Sequence, residues 1–354
     1  MALKILNIKE SDFAGYINSA PELYNPLRVV EIVRNDSTHG MRYDMLLTLA
    51  IKQRQFAFAV EVKGDGTPGA ATRAINQILS KPLPGYEPMI ALPYLSEYVV
   101  PLLQESGVSG IDLNGNYHIV TDRFVAIRLD RPNRFPVGRS IKKIYTGNSS
   151  ILGRLLLVEP GPFAKVNDIV AAIDARGGGI SLATVSKALN AMIDDLIVLR
   201  RRGEINLLRA EVLLERLRRS YRPPRIERTI RLKLPDERSD QQKLLDDALG
   251  SNEWIWSGES SPEVYAVTVP LRTNTVLTRA SKDRVNGLIP YEENRFYNCE
   301  IHRTEEAFPF FDRNGPWASM IETCLALSQG DKRGKEIADD IARTILKRFD
   351  DDTR

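Results

Sequence analysis

Cysteine is scarce in this chain. Cys299 and Cys324 are the only two among 354 residues. That is too few for a disulfide framework, and their spacing is not that of a zinc site; a reducing cytoplasm fits such usage. Long apolar runs are missing too. None reaches the length needed to cross a bilayer, so no membrane partner is expected, and the opening MALKILNIKESD carries no signal-peptide pattern. Neither sign of charge dominates: 49 Lys and Arg against 46 Asp and Glu leave net +3, so the chain as a whole is not a polycation. Internal repeats and low-complexity tracts are absent, which excludes a repeat array. What is there is ordinary for a soluble globular protein, with 43% hydrophobic and 27% charged residues, and is enough for two or three domains.

The most informative stretch is YDMLLTLAIKQRQFAFAVEVKG, Tyr43 to Gly64. It predicts two β-strands joined by a tight turn at Gln53-Arg54. With Lys52 facing Gln55, Ile51 faces Phe56, Leu49 faces Phe58, Leu47 faces Val60 and Met45 faces Val62. That face is wholly apolar and belongs in a core. The other face carries Asp44, Leu46, Thr48 and Ala50 across from Lys63, Glu61, Ala59 and Ala57. Asp44, Glu61 and Lys63 therefore meet at one end of a face lined by small residues. Two carboxylates so placed suit a hard divalent cation such as Mg²⁺ or Mn²⁺. A neighbouring amine can hold an attacking water or offset charge on a phosphate, as metal-assisted phosphodiester hydrolysis requires.

These residues resemble the PD-(D/E)xK nuclease superfamily motif, with Asp44 as the acid and Glu61-Val62-Lys63 as the acid-any-lysine element on the next strand. Tyr43 stands where that motif has proline. The alternative reading of Glu61 and Lys63 is a solvated strand end, against which the flanking apolar and alanine-rich faces count. The resemblance implies an α/β fold with a mixed sheet, restriction-endonuclease-like. It also implies a polar residue from the helix after the second strand, for which Gln77 is the candidate beside a plain solvated role. A third carboxylate from the first helix is often drawn into such sites. Glu22 and Glu31 are both candidates, and surface ion pairing is the alternative for each.

The chain around this hairpin predicts a short opening strand, a helix over 11–20 and a β-rich run over 27–33. After the hairpin come a helix over 70–79, a strand over 88–93, a helix over 97–106, a strand-turn-strand over 110–120 and a last strand over 124–129. Asn114-Gly115 marks the turn. Asp112 and Asn114 read as structural, and His118 as a surface position on a β-ribbon, with contact to substrate as the alternative. The segment 131–147 is a proline-broken basic linker.

From Asn148 the pattern turns helical, over 149–159, 166–176 and 181–195. Ile197-Val198-Leu199 and Glu204 to Leu207 then flank Arg200-Arg201-Arg202-Gly203. Three helices and a basic-tipped hairpin make a winged helix-turn-helix. The stretch Ile180-Ser181, then Ala183 to Leu189, resembles the third helix of bacterial transcription-regulator domains. Leu182, Val185, Leu189 and Met192 form its apolar stripe. Ser181, Thr184 and Lys187 are free to meet phosphates or base edges. Arg200, Arg201 and Arg202 suit a backbone or minor-groove contact; a protein-contact role is the alternative. Between Arg200 and Lys233, eleven arginines and one lysine against four glutamates give net +8, leaving the remainder at net −5. Such local clustering is the electrostatic footprint of nucleic-acid binding.

The last third predicts a helix over 240–249, strands over 254–258, 263–269, 276–278 and 288–291, an aromatic loop Phe308 to Phe311 and helices over 317–327 and 332–349. Pro316-Trp317-Ala318, Ile321 to Leu327, Gly330 to Ala338 and the IDLNGN segment resemble AbiEi-type antitoxins of type IV toxin–antitoxin systems. That resemblance implies a DNA-binding repressor, in some cases countering a toxin. The expected organisation is an α/β nuclease-like domain over 1–130, the linker over 131–147, a DNA-binding domain over 148–234 and an α+β domain over 235–354. The expected function is a cytoplasmic protein that binds double-stranded DNA and hydrolyses phosphodiester bonds, with Asp44, Glu61, Lys63 and Gln77 as the centre. The alternative is a non-cleaving repressor or antitoxin of a toxin–antitoxin or defence system, with a cognate toxin or a second copy of the chain as further partners.

Overall fold

The computed structural model describes residues 8–34, 43–134, 141–201, 203–268, 273–288 and 296–350. The expected opening strand and the strand beyond Leu288 fall outside them, as does Arg202. Contacts divide the chain into two units, residues 1–139 with 194–196, and residues 140–193 with 197–354. The class is mixed α/β.

The first unit is built on a seven-stranded mixed sheet whose spatial order follows the chain, β1 to β7. Its elements are α1 (Phe13–Ser19), β1 (Arg28–Arg34), β2 (Met45–Ile51), β3 (Arg54–Val62), α2 (Pro68–Leu79), β4 (Glu87–Leu92), α3 (Val100–Ser106), β5 (Ser109–Asp112), β6 (Tyr117–Thr121) and β7 (Phe124–Arg128). The strands β3, β4 and β5 run parallel, because α2 and α3 carry the chain back between them; the remaining neighbours are antiparallel. Both faces of the central strands are buried. Met45, Leu47, Leu49, Phe58, Val60 and Val62 pack with Phe13, Ala14 and Ile17 of α1. On the other face Ala59, Ile90 and Leu92 pack with Ala71, Ala74, Ile75 and Ile78 of α2.

The β2–β3 register differs from the expected one by two residues. Leu49 pairs with Phe56, Leu47 with Phe58 and Met45 with Val60, and the two-residue turn is Lys52-Gln53. Lys52 adopts a left-handed φ of 53° to close it. A slip of two leaves every side chain on its expected face, since the pleat repeats every two residues.

Asp112 ties the far end of the sheet together. Its carboxylate accepts from the backbone N–H of Leu95, Asn114 and Asn116 and from the Asn116 side chain, at 2.7–3.0 Å. Asn114 Nδ2 donates to the Pro93 carbonyl, so IDLNGN is a buried structural turn. His118 departs from expectation. It is only 2% exposed, on a strand whose neighbours Tyr117 and Ile119 face the opposite core. Burial lowers its pKa.

The second unit contains α4 (Ile141–Ile144), α5 (Ile151–Val158), α6 (Val166–Ala175), α7 (Leu182–Asp194), β8 (Val198–Arg201), β9 (Glu204–Leu207) and α8 (Ala210–Ser220). It continues with β10 (Arg228–Leu232), α9 (Arg238–Leu249), β11 (Trp254–Trp256), β12 (Asn274–Thr278), α10 (Lys282–Asn286), β13 (Cys299–Arg303), α11 (Met320–Leu327) and α12 (Lys332–Asp350). A short helix therefore lies within the expected linker. β10, β13, β12 and β11 form a four-stranded sheet in that order, and β8–β9 a separate hairpin. The expected strand over 263–269 is instead a 3₁₀ turn at Pro262–Val264 followed by irregular chain through 268.

One core runs from α5–α8 into the carboxy-terminal helices, joining Leu155, Leu189, Met192 and Leu213 to Phe308, Cys324, Leu325 and Ile341. At its centre Arg154 and Glu322, each 1% exposed, pair at 2.6 Å. The Tyr221 hydroxyl donates to the other Glu322 oxygen at 2.8 Å.

Candidate functional site

Asp44, Glu61, Lys63 and Gln77 come together at one end of the β2–β3 hairpin, under α2. Asp44 just precedes β2. Its backbone N–H donates to the Val60 carbonyl at 3.2 Å, and its Oδ2 accepts from the Val62 N–H at 2.8 Å. That carboxylate thus continues the ladder where the strand pairing ends. Lys63 just follows β3, and its N–H donates to Ala91 on β4 at 3.1 Å. These backbone bonds fix the side chains to the sheet instead of to a loop.

Glu61 is 2% exposed and Lys63 is 18% exposed. The Lys63 ammonium donates to Glu61 Oε1 at 2.6 Å and reaches Gln77 Oε1 at 3.5 Å. Burial pushes the Glu61 carboxyl up, Lys63 pulls it back, and the charge of Asp44 and a hydrogen bond with it push it up again. With Met45 paired to Val60, the next position of the ladder sets Asp44 opposite Glu61.

Gln77 is placed by α2, whose start is closely specified. Thr67 Oγ1 accepts from the Ala70 N–H at 3.2 Å, and Pro68 occupies the first helical turn. Asp65 in turn holds Thr67, accepting from its N–H at 3.0 Å and its hydroxyl at 2.6 Å. The sequence signal for this support is the Asp65-Gly66-Thr67-Pro68 run just before the helix. Alanines 71 and 74 let the helix lie close on the sheet.

The oxygen donors at this place are Asp44 and Glu61. Among the described residues no group of three or more His, Cys, Asp or Glu could hold a metal. Glu22 lies exposed in a 3₁₀ turn, and Glu31 is exposed on β1 opposite Thr48. Neither completes a three-carboxylate cluster here. Two adjoining carboxylates, one of them buried, still form a donor set that suits a hard cation, since each raises the cost of charging the other.

In the second unit α7 buries Val185, Ala188, Leu189 and Met192. Leu182 departs from the expected stripe and is 47% exposed. It sits in the first turn, before the helix reaches the core, and Ala188 contributes to the buried face. Ser181 caps the helix: its Oγ accepts from the Thr184 N–H at 3.2 Å and shares a 2.9 Å hydrogen bond with the Thr184 hydroxyl. Both hydroxyls and the exposed Lys187 sit along the start and outer side of α7. The β8–β9 hairpin turns at Gly203, φ 88°, with Arg200 and Arg201 exposed beside it. Arg202 lies outside the described residues. A lone bridge from Phe163 to Ile205 adds an extended segment between α5 and α6 to this hairpin.

The basic run after the hairpin is partly absorbed by the fold. Arg216 is buried over the Tyr145 ring. Arg218 pairs with Asp339, Arg219 with Glu215 and Arg231 with Glu300. The net charge of the segment therefore overstates the positive surface it offers.

No protein-family model matches this chain, and no curated protein matches it in sequence. Among the described residues no helix is long and apolar enough to cross a membrane.

Proposed function

We propose that the chain is a DNA-binding protein whose first unit is a restriction-endonuclease-like domain of the PD-(D/E)xK type, hydrolysing phosphodiester bonds with Mg²⁺ or Mn²⁺. The observation that carries this reading is the meeting of Asp44, Glu61 and Lys63 at one end of a doubly covered sheet, with Gln77 beside them. Strand order also supports it, since the acid lies at the start of one strand and acid-any-lysine at the end of its antiparallel neighbour, followed by a helix and a parallel strand. Asp44 and Glu61 would hold the cation. A bound divalent cation supplies Lewis acidity to the phosphate and lowers the pKa of water. Lys63 offsets charge on the phosphate oxygens and orients a water through its remaining protons. Gln77 positions Lys63 and the substrate by hydrogen bonds.

In the second unit the α5, extended segment, α6, α7, hairpin order supports a winged helix-turn-helix. Ser181, Thr184 and Lys187 would meet DNA as the start of a recognition helix, and the exposed Arg200 and Arg201 would follow the backbone as a wing. Double-stranded DNA is the proposed partner. The test is incubation of duplex, single-stranded, branched and modified DNA with Mg²⁺ or Mn²⁺. Cleavage by the wild type, lost in Lys63→Ala with DNA binding retained, is the expected result. Absence of metal-dependent cleavage on all four substrates counts against the nuclease.

A second reading is favoured by one observation, the two-carboxylate donor set with Glu61 already engaged by Lys63. In that reading the sheet is a scaffold, and the chain is a non-cleaving repressor or antitoxin of the AbiEi type, partnered by a cognate toxin or defence protein. Tight, sequence-specific binding to its own promoter without cleavage would support it.

A further inference from the structure

The contact between Lys63 and Glu61 bears on how a cation would enter. Glu61 is 2% exposed while Lys63 is 18% exposed, and the ammonium lies 2.6 Å from Glu61 Oε1. The amine is thus the more exposed member of the pair, and it already supplies the positive charge that a buried carboxylate needs. One Asp44 oxygen is engaged with the Val62 N–H at 2.8 Å. Gln77 Oε1, 3.5 Å from the amine, offers a second, neutral acceptor.

We propose that Lys63 is the site's internal counter-cation, and that a divalent ion binds by displacing its ammonium from Glu61 toward Gln77. This rests on the reading of Asp44 and Glu61 as a cation site. Cation binding is then an exchange of one positive group for another. The two carboxylates and the ammonium sum to one negative charge, so the ion meets a site whose attraction is already partly spent. Removing the ammonium leaves two negative charges for the incoming ion. A lysine that merely stood nearby would weaken the ion by repulsion through space alone, whereas Lys63 must also give up its 2.6 Å contact with Glu61 before that oxygen can bind the ion. Lys63 has two consequences in opposite directions: it weakens cation binding while supporting the chemistry.

The experiment is calorimetric titration of the full chain with Mn²⁺ alone, at low ionic strength and mildly alkaline pH, so that the carboxyls are ionised. Wild type, Lys63→Gln, Lys63→Ala and Asp44→Asn are compared, with circular dichroism showing that each is folded. The expected result is binding at least about tenfold tighter in Lys63→Gln and Lys63→Ala than in wild type, and lost in Asp44→Asn. Binding seen only in the lysine variants also supports the displacement. Wild-type binding that Asp44→Asn abolishes but the lysine variants fail to strengthen overturns the displacement alone. Silence in wild type and in both lysine variants overturns it together with the cation site.

Discussion

Arg154→Met should be among the most damaging single changes in the second unit. Arg154 donates from its Nε to Ser150 Oγ at 3.0 Å, pairs with Glu322 at 2.6 Å, and stacks over Phe308 at 5.0 Å from the ring centre. Methionine keeps much of the apolar stem and removes the charge. Glu322 then sits in the core with the Tyr221 hydroxyl as its remaining partner from this group. Breaking a buried pair from one side costs about 3–5 kcal/mol, because the orphaned charge stays desolvated. In a unit of roughly 200 residues each kcal/mol moves Tm by about 2–4 °C, so the expected loss is ~6–20 °C.

The pH dependence of this loss has a defined sign. Burial already pushes the Glu322 carboxyl up, while Arg154 and Tyr221 hold it down. Without Arg154 it rises further. A carboxyl raised in the folded state binds a proton there that the unfolded chain has released. Stability is then fully present below the unfolded value and falls as pH rises through the folded value. The variant should lose most near pH ~8 and recover toward wild type near pH ~5. Calorimetric Tm across this range is the assay, and Arg154→Met with Glu322→Leu should recover much of the loss. A neutral-pH Tm within a degree or so of wild type, or a loss that does not change with pH, would mean that Glu322 is not held as a buried charge by Arg154.

Replacing Arg200 and Arg201 with alanine should lower DNA affinity on all sequences and reduce the slope of log K against log salt by about two, as fluorescence anisotropy at several salt concentrations would show; an unchanged slope removes the hairpin from the interface. Asp112→Ala leaves three buried N–H groups without their acceptor and should cost about 3 kcal/mol or more in urea melts. Lys52→Gly relieves the left-handed backbone of the turn and should stabilise by about 0.5 kcal/mol. A destabilised Lys52→Gly would argue against the observed register.

The hairpin shows how far the sequence could be read. Its apolar alternation decides which face each residue takes, and Asp44, Glu61 and Lys63 meet as that alternation requires. The alternation cannot distinguish registers two residues apart, and the turn that decides between them uses Lys52, a residue with no strong turn signal. The Asn114-Gly115 turn was legible because glycine supplies its φ of 87°. His118 departs from its expected place because a polar residue on an alternating strand suggests solvent, whereas both faces of β6 are covered at Tyr117, His118 and Ile119. The strands β10 and β13 were missed. β10 lies in the arginine run, where charge masks alternation, and Cys299–Arg303 pairs with partners distant in sequence. The Arg154–Glu322 pair joins residues 168 apart, and no local pattern announces it.

The most direct measurement is anomalous diffraction from crystals of the full chain soaked in Mn²⁺ to saturation. The expected result is a manganese peak between the carboxylates of Asp44 and Glu61, with the Lys63 amine moved off Glu61. A saturated soak that places manganese elsewhere, or leaves Lys63 on Glu61 with no peak beside it, would contradict it.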